Sequence, residues 1–164
     1  MVYREAVKVQ SNDKVCTFHN VTEAANEIVK RSGIKNGIVS VYSHHTTCCV
    51  ITQEAAFDVS MTGLETLQQD FIEAFESFMP VCRKEGMYLH PGPKALKFAE
   101  EHGEDARGCH NTDAHLRSAL VGRSENIALI DGKMDLGEFG YIYFIDFDTT
   151  RARTRTVQIT VIGE

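Results

Sequence analysis

The chain has 164 residues, 43% of them hydrophobic and 24% charged, with a formal net charge of −6. That length fits one domain, no apolar run approaches the roughly 18 residues of a membrane span, and the acidic balance excludes a protein devoted to coating nucleic acid. The five cysteines are odd in number and include the adjacent Cys48 and Cys49. With charge at Arg4 and Glu5, where a signal peptide needs its apolar core, they predict free thiols in a reducing cytoplasm.

In chain order, residues 2–9 and 15–19 carry β-rich patterns around Ser11-Asn12-Asp13, which predicts an opening hairpin. Asn20 followed by Glu23 has the spacing of a capping box. Val21, Ala24, Ala25, Ile28 and Val29 then share a helical face that Gly33 closes. Strands are expected over 37–43 and 48–52, which leaves the polar run His44-His45-Thr46-Thr47 within or between buried strands. If that run is extended, the two histidines face opposite sides and only one enters a shared site.

From 58 to 79, Met61, Leu64, Leu67, Phe71, Phe75 and Phe78 repeat at helical spacing before Pro80, predicting a helix that covers the core. The segment 83–111 is rich in Gly, Pro and charge, with one short helix expected over 93–101. Another helix is predicted after it, with Asp113 as N-cap, a buried stripe of Leu116, Ala119 and Leu120, and Gly122 ending it in the left-handed conformation. Strands follow at about 126–130, 140–148 and 153–162. So few strand–helix alternations exclude a doubly wound parallel sheet. They predict a single α+β domain, residues 1–164, with a mainly antiparallel sheet or sandwich and three to four helices.

The chemistry concentrates in His110-Asn111-Thr112-Asp113-Ala114-His115. A helix N-terminus favours a bound anion and a neutral imidazole, so His115 suits a metal or a phosphate oxygen; the plainer alternative is a capped loop. His45, His90 and His115 are in polar settings far apart in sequence, and three imidazoles can form an open zinc site. Asp146 and Asp148 have spacing suited to Mg²⁺. Arg151, Arg153 and Arg155 share a strand face from which guanidiniums can clamp a phosphate, although such arginines also decorate exposed strands. Cys109, beside His110, is the one cysteine with a neighbour able to activate it as a nucleophile. No phosphate-binding loop, G-x-G-x-x-G turn, H-E-x-x-H or G-x-S-x-G is present, which removes the commonest nucleotide, zinc-protease and serine-hydrolase readings.

His45-Thr46-Thr47 with Glu54, Tyr88-x-His90, the block from Asn111 to Ser124, Gly132-Lys133-x-x-Leu136-Gly137 and a closing Arg-x-Arg resemble the YjbQ-like family over nearly the whole chain. This family is also called the secondary thiamine-phosphate synthase family, after a weak activity joining a pyrimidine diphosphate to a thiazole phosphate. The resemblance implies an α+β fold that assembles as a homotrimer, with His45, Glu54, His90, Asn111, Asp113, His115 and Ser118 gathered in one site. A thiamine-phosphate-synthase-like transferase of that kind would use His45, Glu54, His90, Asp113 and His115 in catalysis. Thr46, Asn111, Ser118, Arg151 and Arg153 would bind a small phosphorylated substrate, and His45, His90 and His115 would hold any divalent metal, Zn or Mg. A metal-dependent hydrolase and a non-catalytic metal- or metabolite-binding trimer are the rival expectations. Two features depart from the family pattern: Gly137-Glu138-Phe139-Gly140 replaces the usual Gly-Thr-Trp-Gln, and the stretch from Ala55 to Pro80 is longer and lacks the usual Asn beside the glutamate.

Overall fold

Alternating exposure sets the first layer. In β1 (Val2–Gln10) every second side chain faces out, the signature of a strand covered on one side only. The computed structural model describes residues 1–105 and 110–164. The remaining elements are β2 (Thr17–Asn20), α1 (Thr22–Ser32), β3 (Gly37–Ser43), β4 (Cys48–Glu54), α2 (Thr66–Glu76), α3 (Pro93–Glu101), α4 (Thr112–Val121), β5 (Ser124–Ile130), β6 (Lys133–Met134), β7 (Gly140–Asp146) and β8 (Thr154–Gly163). They form an α+β domain with two antiparallel sheets, ordered β1-β8-β3-β5-β6 and β2-β7-β4.

The larger sheet puts Val39, Val41, Ile127, Val157, Ile159 and Val161 into a core completed by Ala25, Ile28 and Val29 of α1 and by Val50, Ile142 and Phe144 of the smaller sheet. The opposite face of the smaller sheet buries Cys49, Tyr143 and Ile145 against Ala114 of α4, with Phe71 and Ile72 of α2 packed alongside. β7 is therefore covered on both faces and reads as an unbroken apolar run. The Tyr141–Ile145 run, which would suit a contact between subunits, is instead spent on the chain's own core.

Several expectations are corrected. β1 and β2 do not form a hairpin, because β1 pairs with β8 and β2 with β7. Residues 58–65 are not helical. Val59 bridges Glu65, Met61 is fully exposed, and α2 begins after Glu65, whose side chain forms a capping box with Gln68. Asn20 accepts a hydrogen bond from the Thr22 N–H at 3.1 Å, while Val21 takes the N-cap position of α1 without side-chain capping. Gly33 closes α1 in the left-handed conformation, as its position predicts.

In α4 the polarity is inverted. Thr112, Asp113, Ala114, Arg117 and Ser118 are buried, while Leu116 and Leu120 are exposed. Each of the buried polar side chains has at least one partner, although Nη1 of Arg117 has none among the described residues. Arg117 donates to the Met79 carbonyl and to Glu76, and Ser118 donates to the Cys48 carbonyl at 2.6 Å. Asn111, not Asp113, occupies the N-cap position, and Gly122 ends the helix with φ 101° and ψ 155°, outside the left-handed helical region.

Candidate active-site cleft

Three chain reversals and two helices meet at one end of the sheets. After β3 the chain turns at once, with the Ser43 hydroxyl accepting the His45 N–H and the His45 carbonyl accepting the Cys48 N–H. The reversal places His44 and His45 side by side, their ring centroids 4.2 Å apart, and both line a cleft of about 560 Å³. The expectation that only one would enter fails because the run is a turn and not an extended strand. Thr46 and Thr47 line the same cleft, joined by His90, by Asn111 and His115 from the start of α4, and by Arg151, Arg153 and Arg155 on the way into β8.

The floor is a buried ion-pair network. Arg155 donates to Asp146 at 2.6 and 3.2 Å and to the Thr47 hydroxyl at 3.0 Å, and the Thr47 hydroxyl in turn donates to Asp146. Asp148 accepts the Asn111 side-chain amide at 3.0 Å and the Thr150 hydroxyl at 2.6 Å. Burial works against the Arg155 charge, but the bond to Asp146 and that carboxylate's charge outweigh it and hold the pKa above its usual value. Arg155 is thus neutralised from below. Arg151 pairs with Glu104 at 2.9 Å. Arg153 anchors its backbone to Ser11, and its half-buried guanidinium has no side-chain partner among the described residues.

Two of the imidazoles, His45 and His115, are biased toward the neutral form. Nε2 of His45 accepts the Thr156 N–H at 2.9 Å, which puts its proton on Nδ1. Burial, then the charges of Arg155 and His44, push its pKa down to about 4. His115 is lowered chiefly by burial, and its Nδ1 lies 3.3 Å from the Thr46 carbonyl, the geometry of a donor that leaves Nε2 as a lone pair. The His90 and His115 rings meet edge to face at 5.7 Å between centroids.

These donors do not fit a three-histidine zinc site. One nitrogen of His45 is already committed, and among the described residues no three His, Cys, Asp or Glu groups are placed to share an ion. Asp146 and Asp148 are likewise committed to Arg155, Asn111 and Thr150, which leaves no open pair of carboxylates for Mg²⁺. The cysteines fare no better as nucleophiles. Burial pushes the Cys16 thiol up to about 12 and also raises Cys48 and Cys49, while Cys109 lies outside the described residues.

Not every expected site residue reaches the cleft. Glu54 is the exposed last residue of β4, opposite Gly140. Asp113 turns away to accept the Cys82 N–H at 3.0 Å, and Ser118 ties α4 to β4. Residues not foreseen as cleft lining are His44, Thr47, Glu104 and the α3 face of Ala95, Phe98 and Ala99. The i, i+3, i+4 spacing of that last group was a legible signal for a shared face.

Together these features define a curled α+β domain with a basic cleft in which His45 and His115 are biased toward the neutral form. The chain belongs to the family described as UPF0047 protein YjbQ-like, whose model matches residues 5–164. A UPF0047 protein of Methanothermobacter thermautotrophicus is 27% identical over 163 residues, covering 99% of this chain and 94% of the relative. YugU of Bacillus subtilis, also a UPF0047 protein, is 28% identical over 145 residues, covering 88% of each chain. Among solved structures, a YjbQ/UPF0047 protein of Clostridium acetobutylicum matches with a TM-score of 0.68 and 27% identity, covering 97% of this chain and 98% of its own. A protein of unknown function from Sulfolobus solfataricus shares the fold with a TM-score of 0.72 at 22% identity, covering 100% of this chain and 99% of its own. Among the described residues no helix is long and apolar enough to cross a membrane.

Proposed function

We propose that the cleft binds the phosphate of a small phosphorylated molecule and turns that molecule over, as a transferase of the thiamine-phosphate-synthase type. One observation carries this reading: the guanidinium of Arg153, without a side-chain partner among the described residues, shares a cleft with His45 and His115, both biased toward the neutral form. In the condensation the thiazole nitrogen forms a C–N bond to the pyrimidine methylene. The C–O bond breaks, and its electron pair leaves on the diphosphate. Charge therefore develops on the departing anion, and fixed donors aimed there lower the barrier. Arg153 supplies a guanidinium fork, and the Nδ1–H of His45 supplies a neutral donor. Arg155 and Asn111, bonded to buried carboxylates, shape the floor.

A hydrolytic reading rests on a different atom. The Nε2 lone pair of His115, fixed by its Nδ1 contact to Thr46, suits a general base for water. Incubation of the protein with a pyrimidine diphosphate, with and without a thiazole phosphate, separates the outcomes. Thiamine phosphate plus pyrophosphate supports the transferase. A pyrimidine alcohol formed without the thiazole supports the hydrolase. Phosphate binding without turnover leaves a metabolite-binding protein.

A further inference from the structure

We propose that α3 gives the cleft an aromatic platform, Phe98, which makes it select a phosphate carried on a planar ring over one of equal charge carried on a flexible chain. This deepens the phosphate-binding reading of the cleft and rests on it. Ala95, Phe98 and Ala99 lie at i, i+3 and i+4 on one helical face, and all three line the cleft. The walls contributed by the turns and by α4 are polar or cationic, so this face is the apolar side of an otherwise polar site. Phe98 is 58% exposed, a large apolar surface left open beside three arginines.

The ring is backed on one side. His102 stacks against it with centroids 3.9 Å apart and planes 24° from parallel, and Nδ1 of His102 lies 2.7 Å from the Phe98 carbonyl, which ties that imidazole down. The flanking alanines are too small to cover the remaining ring surface. A flat ligand ring can stack there while its phosphate reaches the guanidiniums, burying apolar area on both partners in an offset or edge-on contact. A flexible alkyl phosphate meets the same charges but gains no ring contact and loses chain entropy on binding.

The test is calorimetric titration of the intact protein with inorganic phosphate, phenyl phosphate and n-propyl phosphate. The parent is expected to bind phenyl phosphate about tenfold tighter than propyl phosphate, the scale of one stacked aromatic pair. Phe98→Ala and Phe98→Leu should abolish that preference and Phe98→Tyr keep it, while inorganic phosphate binds all four proteins alike. Because Phe98 is exposed, the variants should unfold at the parent's temperature. Equal affinity of the parent for the two esters, or a preference that survives in Phe98→Ala, overturns the platform while the phosphate site stands. Absence of inorganic phosphate binding in the parent overturns the phosphate site and the platform with it.

Discussion

The Thr112 hydroxyl donates to the backbone carbonyl of His90 at 2.7 Å. α4 thereby fixes the position of one cleft imidazole while carrying another, His115, in the same first turn. The same helix holds the 79–90 loop at two more points, through Arg117 to the Met79 carbonyl and Asp113 to the Cys82 N–H. Thr112→Val should cost about 0.5–1.5 kcal/mol in urea unfolding, the net contribution of one hydrogen bond. It should also shift the His90 ring resonances while leaving those of His44 unchanged, and Thr112→Ser should restore them. Unchanged His90 resonances in Thr112→Val would show that the loop is held without this bond.

The two neighbouring arginines of β8 and its approach should separate stability from binding. Arg155 is buried on Asp146 and near Asp148, and removing it leaves those carboxylates uncompensated. Arg155→Met is therefore expected to cost about 3–5 kcal/mol. Arg153→Met should change stability by no more than about 0.5 kcal/mol, because its guanidinium has no side-chain partner among the described residues. It should weaken inorganic phosphate binding by about tenfold or more, the scale of a hydrogen bond to a charged group. Unfolding curves and phosphate titrations on both variants check the contrast, and the reverse pattern would refute it.

Local pattern made most of the fold legible. The β3 alternation, the α1 stripe closed by Gly33 and the Pro93 start of α3 are each written in neighbouring residues. The pairing of β1 with β8 was not, since Val2 meets Ile162 across nearly the whole chain and no local signal encodes that register. The stripe of Leu116 and Leu120 misled because apolar periodicity marks a face without saying which way it points. Partners elsewhere, Glu76 and Met79, are what make Arg117 buriable. The same holds in the cleft. The settings of His45, His90 and His115 mark them in the sequence, but the commitment of His45 to Thr156 joins residues 111 positions apart, and that of Arg155 to Asp146 depends on how the loop between β7 and β8 closes, visible only once the chain is folded.

His45 sets a pH dependence. Its folded pKa is depressed to about 4 by burial first, then by Arg155 and His44, whereas the unfolded chain titrates near 6.5. The unfolded state therefore binds more protons between these values, and stability falls as pH falls. The contribution is fully present above about 6.5 and is lost progressively toward about 4. Replacing the ring by His45→Gln should flatten this part of the profile, leaving the shallower slope owed to His115 and His19, both also depressed mainly by burial. Urea midpoints measured across that window in parent and variant give the answer. Parallel profiles would mean that the imidazole is solvated and titrates normally.

Assembly is the last expectation to test, and the family resemblance sets the number of chains at three. With the Tyr141–Ile145 run committed to the core, the apolar surface left for self-association lies elsewhere. On the outer face of the larger sheet Val2, Ile162 and Ile38 stand in register across three strands, each at least 48% exposed. A sheet face with such a row is a surface that oligomers cover, and closed symmetry avoids open-ended growth. Light scattering is expected to give the mass of three 18.3 kDa chains at micromolar concentration. Ile38→Glu puts a charge at the β3 end of the row, directly beside Ile162. It should yield monomers with unchanged circular dichroism, because the side chain makes no core contact in the isolated chain. A parent that is monomeric, or an Ile38→Glu protein that remains a trimer, would place the contact elsewhere, with the exposed Leu116 and Leu120 of α4 the next surface to substitute.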